Sequence, residues 1–203
     1  VSAARKWPPD GTPVAGAKVH AYTGFNWPYT KNGRVVSRSR AKEYTTGPDG
    51  VFKMAKPTEP MNLLVLHELG EVELESAALE NAEEIVLKPW AKIQGALRVG
   101  NQTGARQRLA LRFRSRYELR DGSLRQVMSA LRDFEVTSDD KGRFAFDQVP
   151  PGDVSIVRVM DIPRPGGMGT STDDIWGGCP MATLRLKPGE TANLAIGGDG
   201  RRV

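Results

Sequence analysis

The stretch SDDKGRFAFDQVPPG, residues 138–152, decides the fold. Asp139, Asp140 and Asp147 lie around Gly142, as ligands of an oxygen-rich metal loop would, or as the punctuation of a β-hairpin. A calcium loop of the EF-hand kind needs oxygens at alternate positions, Gly at the sixth and Glu at the twelfth. Here two aspartates are adjacent, Lys141 takes the third place and Phe144 the sixth. A hairpin needs Gly where φ must be positive, then alternating side chains. Gly142 followed by Phe144-Ala145-Phe146 meets that requirement, so the stretch reads as a turn and a strand with no metal ligands.

The same turn occurs earlier in the chain. PDGVFKM at 48–54 matches DKGRFAF at 140–146, keeping the Gly and the Phe while the carboxylates vary. GAKVHAY at 16–22 lines up with GARQRLAL at 104–111, NLLVLHE at 62–68 with DVSIVRV at 153–159, and IVLKP at 85–89 with LRLKP at 184–188. Landmarks recurring in one order indicate an internal repeat. KIQGALRVG at 92–100 opens the second unit, VSAARKW at 1–7 is its degenerate counterpart, and GGDGRRV at 197–203 resembles the start of a further unit. The expected domains are residues 1–90 and 91–203.

Strand periodicity is clearest in RLALRFRSRYELR, 108–120. Arg108, Arg112, Arg114, Arg116 and Arg120 are at even positions, and Leu109, Leu111, Phe113, Tyr117 and Leu119 at odd ones. Period two puts the arginines on one face of a strand and the apolar residues on the other. Asp-Gly pairs at 10–11, 49–50, 121–122 and 199–200, with Pro150-Pro151-Gly152, supply turns at the spacing of an antiparallel sandwich. Only LESAALENAEE, 74–84, has helix-forming composition, and one short helix is expected there.

The totals are compatible with this. A chain of 203 residues holds two domains of about 100 residues. Its 22 Gly and 14 Pro indicate many turns without reaching low complexity. A net charge of +5 permits an anionic partner without requiring one. Cys179 alone excludes an internal disulfide and a Cys-rich metal site. No apolar run is long enough to span a membrane, so no membrane insertion is expected. The chain begins at Val1 without a Met, as an excised piece of a longer protein would.

DGTPVAGAKVHAYT, TTGPDGVFKM and IVLKP, with IQGALRVG, VTSDDKGRFAFDQVPPGDVSI and LRLKPGETANLAI in the second unit, resemble the carboxypeptidase regulatory-like domain. The second unit departs from that family's pattern at Asn101-Gln102-Thr103 and in its long Gly/Pro loop at 161–181. The resemblance covers nearly the whole chain. It implies an all-β fold of two tandem seven-stranded, Ig-like or transthyretin-like (prealbumin-like) antiparallel β-sandwiches. It also implies accessory modules outside the cytoplasm (periplasmic, cell-surface or secreted), often joined to peptidase or other catalytic domains, with no catalytic residues or cofactor of their own.

The candidate chemistry is sparse. His20 and His67 have no second ligand near them in sequence and read as surface or edge histidines. Cys179 has Asp173 and Asp174 nearby, which disfavour a thiolate. RPGGMGTST at 164–172 lacks the Lys of a phosphate loop. No catalytic, cofactor or metal residue is therefore assigned, and no enzyme is expected. Two surfaces remain. The arginines Arg108, Arg112, Arg114, Arg116 and Arg120 form a stripe for an anionic ligand or partner, or a solvated face paired to cross-strand acids. The acidic tract from Glu68 to Glu84 offers the first unit as their complement. Phe25, Trp27 and Tyr29, with amides beside them, form an aromatic loop suited to a sugar, or cover one end of the core. Trp90 is expected to pack between the units. The reading is a non-catalytic spacer and interaction module, with carbohydrate binding as the alternative. Its partners are protein first (neighbouring repeats or a fused catalytic domain) and cell-envelope polysaccharide second, with nucleic acid disfavoured.

Overall fold

The structure is a computed structural model that describes residues 2–7, 12–23, 26–37, 40–55, 58–59, 61–75, 84–113, 117–120, 123–126, 130–160, 175–176 and 180–198, with the backbone course alone at 2–7, 117–120, 123–126 and 175–176. Every regular element among these residues is a strand. The chain is all-β, as alternating side chains and Gly turns dictate.

In chain order the first half contains β1 (Ser2–Trp7), β2 (Lys18–Tyr22), β3 (Tyr29–Lys31), β4 (Arg34–Ser37), β5 (Lys42–Thr45), β6 (Val51–Met54), β7 (Asn62–His67), β8 (Gly70–Glu75), β9 (Glu84–Val86) and β10 (Lys88–Pro89). The order β6-β1-β9 makes one sheet and β10-β8-β7-β2-β5 the other. Between them lie Val14, Ala17, Val19, Ala21, Phe52, Leu63, Val65, Ile85 and Leu87. Residues 76–83, most of the expected helix, lie outside the described residues; Glu75 and Glu84 at its edges are in strands.

The second half contains β11 (Ala91–Val99), β12 (Gln102–Thr103), β13 (Arg108–Phe113), β14 (Tyr117–Arg120), β15 (Ser123–Gln126), β16 (Leu131–Asp133), β17 (Glu135–Thr137), β18 (Arg143–Val149), β19 (Gly152–Met160), β20 (Ile175–Trp176), β21 (Ala182–Leu186) and β22 (Thr191–Ile196). Here β11 is held between β18 and β22, and β13-β19 is flanked by β17 and β21. Ile93, Leu97, Leu109, Leu111, Phe134, Phe144, Phe146, Ile156 and Ile196 fill a second, separate core.

The pairing pattern is the same in both halves. β1 runs antiparallel to β6 and parallel to β9, and β11 runs antiparallel to β18 and parallel to β22. β2 lies between β5 and β7 as β13 lies between β17 and β19. These parallel closures were not visible in the alternation, which reports the faces of a strand and not its neighbours. One landmark changes place. By its parallel pairing β9 takes the position of β22, whereas LRLKP at 184–188 ends β21, the hairpin partner of β19. The short apolar-Lys-Pro match was a coincidence of composition.

The turn at 138–143 accounts for the crowded aspartates. Gly142 has φ +75° and Gly50, its counterpart, +72°. Asp139 accepts N–H bonds from Lys141 at 2.9 Å and Arg143 at 2.7 Å, and the Arg143 guanidinium at 2.7 Å. The backbone bond from Arg143, ahead of its side chain, holds the Asp139 carboxyl below the usual range. Asp140 pairs with Arg106 and Asp147 with Lys92, so the carboxylates face three separate cations.

At the start of this turn, buried Ser138 Oγ donates to Gly104 O at 2.6 Å and accepts from Gln107 N at 2.9 Å. Thr46 Oγ1 does the same between Val14 O (2.6 Å) and Ala17 N (2.8 Å). Each hydroxyl satisfies a donor and an acceptor of the chain where it enters the core. Ser138→Ala leaves both unpaired and should cost about 1–3 kcal/mol in urea unfolding.

Candidate functional site

The sheet containing β2, β7 and β8 buries both of its faces. Val19, Ala21, Leu63 and Val65 point into the first core. On the opposite face, register lines up His20, Leu64 and Glu73, with Lys18, Leu66 and Glu71 on one side of them and Tyr22 and Asn62 on the other. Tyr22 and Leu64 pack with Ala130 of the second half, and Trp27, Ala41 and Leu66 close around them.

The covering layer is a small sheet shared by the two halves. β3 pairs antiparallel with β4 and parallel with β16, matching Tyr29 to Leu131 and Lys31 to Asp133. Asn32, at φ +47°, is in the turn of this hairpin; its side chain donates to Glu135 O and accepts from Glu135 N, each at 3.1 Å. Asparagine tolerates that conformation better than most residues.

Strand alternation points Arg132 inward, beneath this layer. Its Nη1 lies 2.9 Å from both Oε1 and Oε2 of Glu71, and its Nη2 donates to Glu73 Oε2 at 2.8 Å. Glu73 Oε1 accepts from Ala130 N at 2.6 Å and from the Tyr22 hydroxyl. Side-chain exposure is 13% for Arg132, 7% for Glu71 and 18% for Glu73, so the ions are largely out of water. Burial raises the Glu71 carboxyl above its usual range, although Arg132 pulls it down. Burial also disfavours the Arg132 cation, but Glu71 and Glu73 outweigh it and raise its pKa. Tyr22 is raised by burial and then by Glu73. Nearby, Tyr29 OH donates to Asp133 Oδ2 at 2.8 Å, a bond that raises the phenol.

The candidate surfaces read from sequence are placed differently. Of the arginines at 108–120, Arg108 and Arg112 are on β13, which ends at Phe113, and Arg120 is on β14, which pairs with β15. Arg108 is half-buried and grips Glu135 through Nε–Oε1 at 2.7 Å and Nη2–Oε2 at 3.3 Å. Arg112 is exposed; Arg114 and Arg116 lie outside the described residues, as does the side chain of Arg120. β13 is a central strand, so its charges do not guard an edge. Of the aromatic loop, Phe25 lies outside the described residues. Trp27 is half-buried in the layer between the halves and Tyr29 is committed to Asp133, so neither forms an open sugar platform. Trp90 Nε1 donates to His67 O at 2.8 Å, fastening the link between the halves.

The surface histidine expectation fails for His20. It is 2% exposed on β2, because the outer face of its sheet is covered. An open cleft of about 460 Å³ beside it is lined by Lys18, Arg34, Glu68 and Gln148. Among the described residues no group of three or more His, Cys, Asp or Glu could hold a metal ion. Cys179 and the 164–172 loop lie outside the described residues.

The sequence reading left Arg132 out of its candidate surfaces and placed Glu71 and Glu73 in a docking tract. The run NLLVLH on β7, apolar at four consecutive positions, was the available signal that both faces are buried.

No protein-family model matches the chain, and no curated protein matches it. Among solved structures, a streptococcal ancillary pilin is similar at 13% identity and TM-score 0.34, over 98% of this chain and 62% of that one. A shaft pilin of Lactobacillus rhamnosus GG is similar at 13% identity and TM-score 0.31, over 98% and 97%. A minor pilin of Streptococcus agalactiae is similar at 12% identity and TM-score 0.31, over 91% and 82%. The all-β class of the chain rests on its own strand pairing.

Proposed function

We propose that the chain is a non-catalytic spacer and interaction module of a longer extracytoplasmic protein. In this reading it is built from two copies of one β-sandwich, residues 1–90 and 91–203, docked as a stiff unit. The recurrence of one pairing pattern and one buried hydroxyl bridge in each half supports two related modules. The resemblance to the carboxypeptidase regulatory-like domain supports a location outside the cytoplasm and protein partners such as neighbouring modules or a fused catalytic domain.

The observation that carries the reading is Arg132 buried between Glu71 and Glu73 beneath a shared sheet. Flexibly tethered domains commonly meet through small polar contacts. Here one half contributes a strand and a cation to the other's sheet face. Small-angle scattering should fit a single rigid shape for the whole chain, and the distribution should broaden in Arg132→Ala. Scattering of the unaltered chain that requires two independently moving bodies would overturn the reading.

A further inference from the structure

We propose that the chain bears tension along its length, because each half joins its first strand to its last in a parallel ladder. β11 and β22 run side by side in the same direction over six registered pairs, Lys92 with Thr191 through Leu97 with Ile196. β1 and β9 do so over three, Arg5 with Glu84 through Trp7 with Val86. A pull that draws the start of β11 away from the end of β22 acts along both strands in opposite directions. The rungs of a parallel ladder are evenly spaced, so this load falls on all of them together. Antiparallel neighbours pulled from one end open a rung at a time. Forced unfolding is governed by the barrier to unfolding and not by equilibrium stability, and simultaneous rupture raises that barrier.

The larger ladder is reinforced along its length. Lys92 N donates to Glu190 O at 2.8 Å at the near end. In the middle, Gln94 Nε2 donates to Asn193 Oδ1 at 2.8 Å, a side-chain tie across the rungs. Gly95 lies against Leu194, where a Cβ would collide with the Leu194 carbonyl oxygen, so glycine permits the close approach. At the far end Gly197, at φ +80°, meets the Arg98 carbonyl in the same way. Ala192 and Leu194 anchor β22 to the second core from its inner face.

The connection between the ladders transmits load without slack. Leu87 is buried, Lys88 and Pro89 pair with Glu71 and Gly70 of β8, and Ala91 already belongs to β11. Force entering at β1 therefore passes through β9 and four residues into β11.

The proposal rests on the spacer reading but is tested separately from it. The whole chain, with Cys179→Ser, is stretched by single-molecule force spectroscopy between handles at its two ends. A second preparation carries handles at Asn101→Cys and Ala195→Cys, both at exposed positions, which pull the β11–β22 pair apart from one end. End-to-end pulling should give two ruptures, the three-pair half yielding first, with the second severalfold stronger than the peeling rupture of the same pair. A rupture force end-to-end equal to or below that of peeling would overturn the proposal, provided both preparations keep the urea midpoint of the unaltered chain. Rigid scattering together with weak end-to-end rupture would leave the spacer and remove the load-bearing role.

Discussion

Arg132→Ala should lower the stability of the protein by about 3–5 kcal/mol at neutral pH, the cost of leaving buried charges without their counter-ion. Glu71 and Glu73 would remain behind the β3–β16 layer with only the Tyr22 hydroxyl and Ala130 N–H to face Glu73. The loss should depend on pH, with a determinate sign. Burial already raises the Glu71 pKa in the native protein, and removing the cation raises it further. A carboxyl raised in the folded state adds stability that is fully present below its unfolded pKa and is lost as pH rises through the folded one. Acid should therefore restore much of what Arg132→Ala loses, as the native state takes up protons the unfolded chain does not. The same sign predicts that Glu71→Gln gains on the unaltered chain as pH rises. Urea unfolding of the three proteins between mildly acidic and neutral pH measures both effects; a cost for Arg132→Ala that stays constant or grows on acidification would contradict this account.

Phe134→Ala should cost a similar amount, about 3–5 kcal/mol, for a different reason. Phe134 heads the largest fully buried side chains and packs against Phe113 with ring centroids 5.4 Å apart. Its carbonyl accepts from Leu111 N at 2.9 Å, fixing the chain that carries Arg132 two residues earlier. Truncation opens a cavity in the second core and loosens the base of the clamp. Unlike Arg132→Ala, its cost should hardly change with pH, since no charge is uncovered. Comparing the two pH profiles separates packing from ion pairing at positions only two residues apart.

Much of the fold was legible because its determinants are local. Gly50 and Gly142 need positive φ, Phe144 and Phe146 alternate with exposed Ala145, and Leu109 and Leu111 point into the core from a strand whose next even position is Arg112. The meeting of the halves was not legible, because it depends on which strand neighbours which. Arg132 looks like its neighbours in a basic segment until β16 is laid beside β3, and only then does alternation turn it inward. Trp27 and Tyr29 suggest a binding loop by composition, yet the same amphipathic rings serve equally well under another sandwich. His20 needed the knowledge that its sheet is covered twice. The parallel pairs β1–β9 and β11–β22 join residues about 80 and 100 positions apart, beyond what a local pattern encodes.

The four residues from Leu87 to Trp90 have a consequence for how this chain can vary. Connectors between sandwiches ordinarily tolerate extra residues, because nothing measures their length. Here a single inserted residue would turn every side chain of β11 over or draw it along its axis, carrying Arg132 away from the glutamates it must reach. Length in this segment should be as strictly kept as identity is in a core.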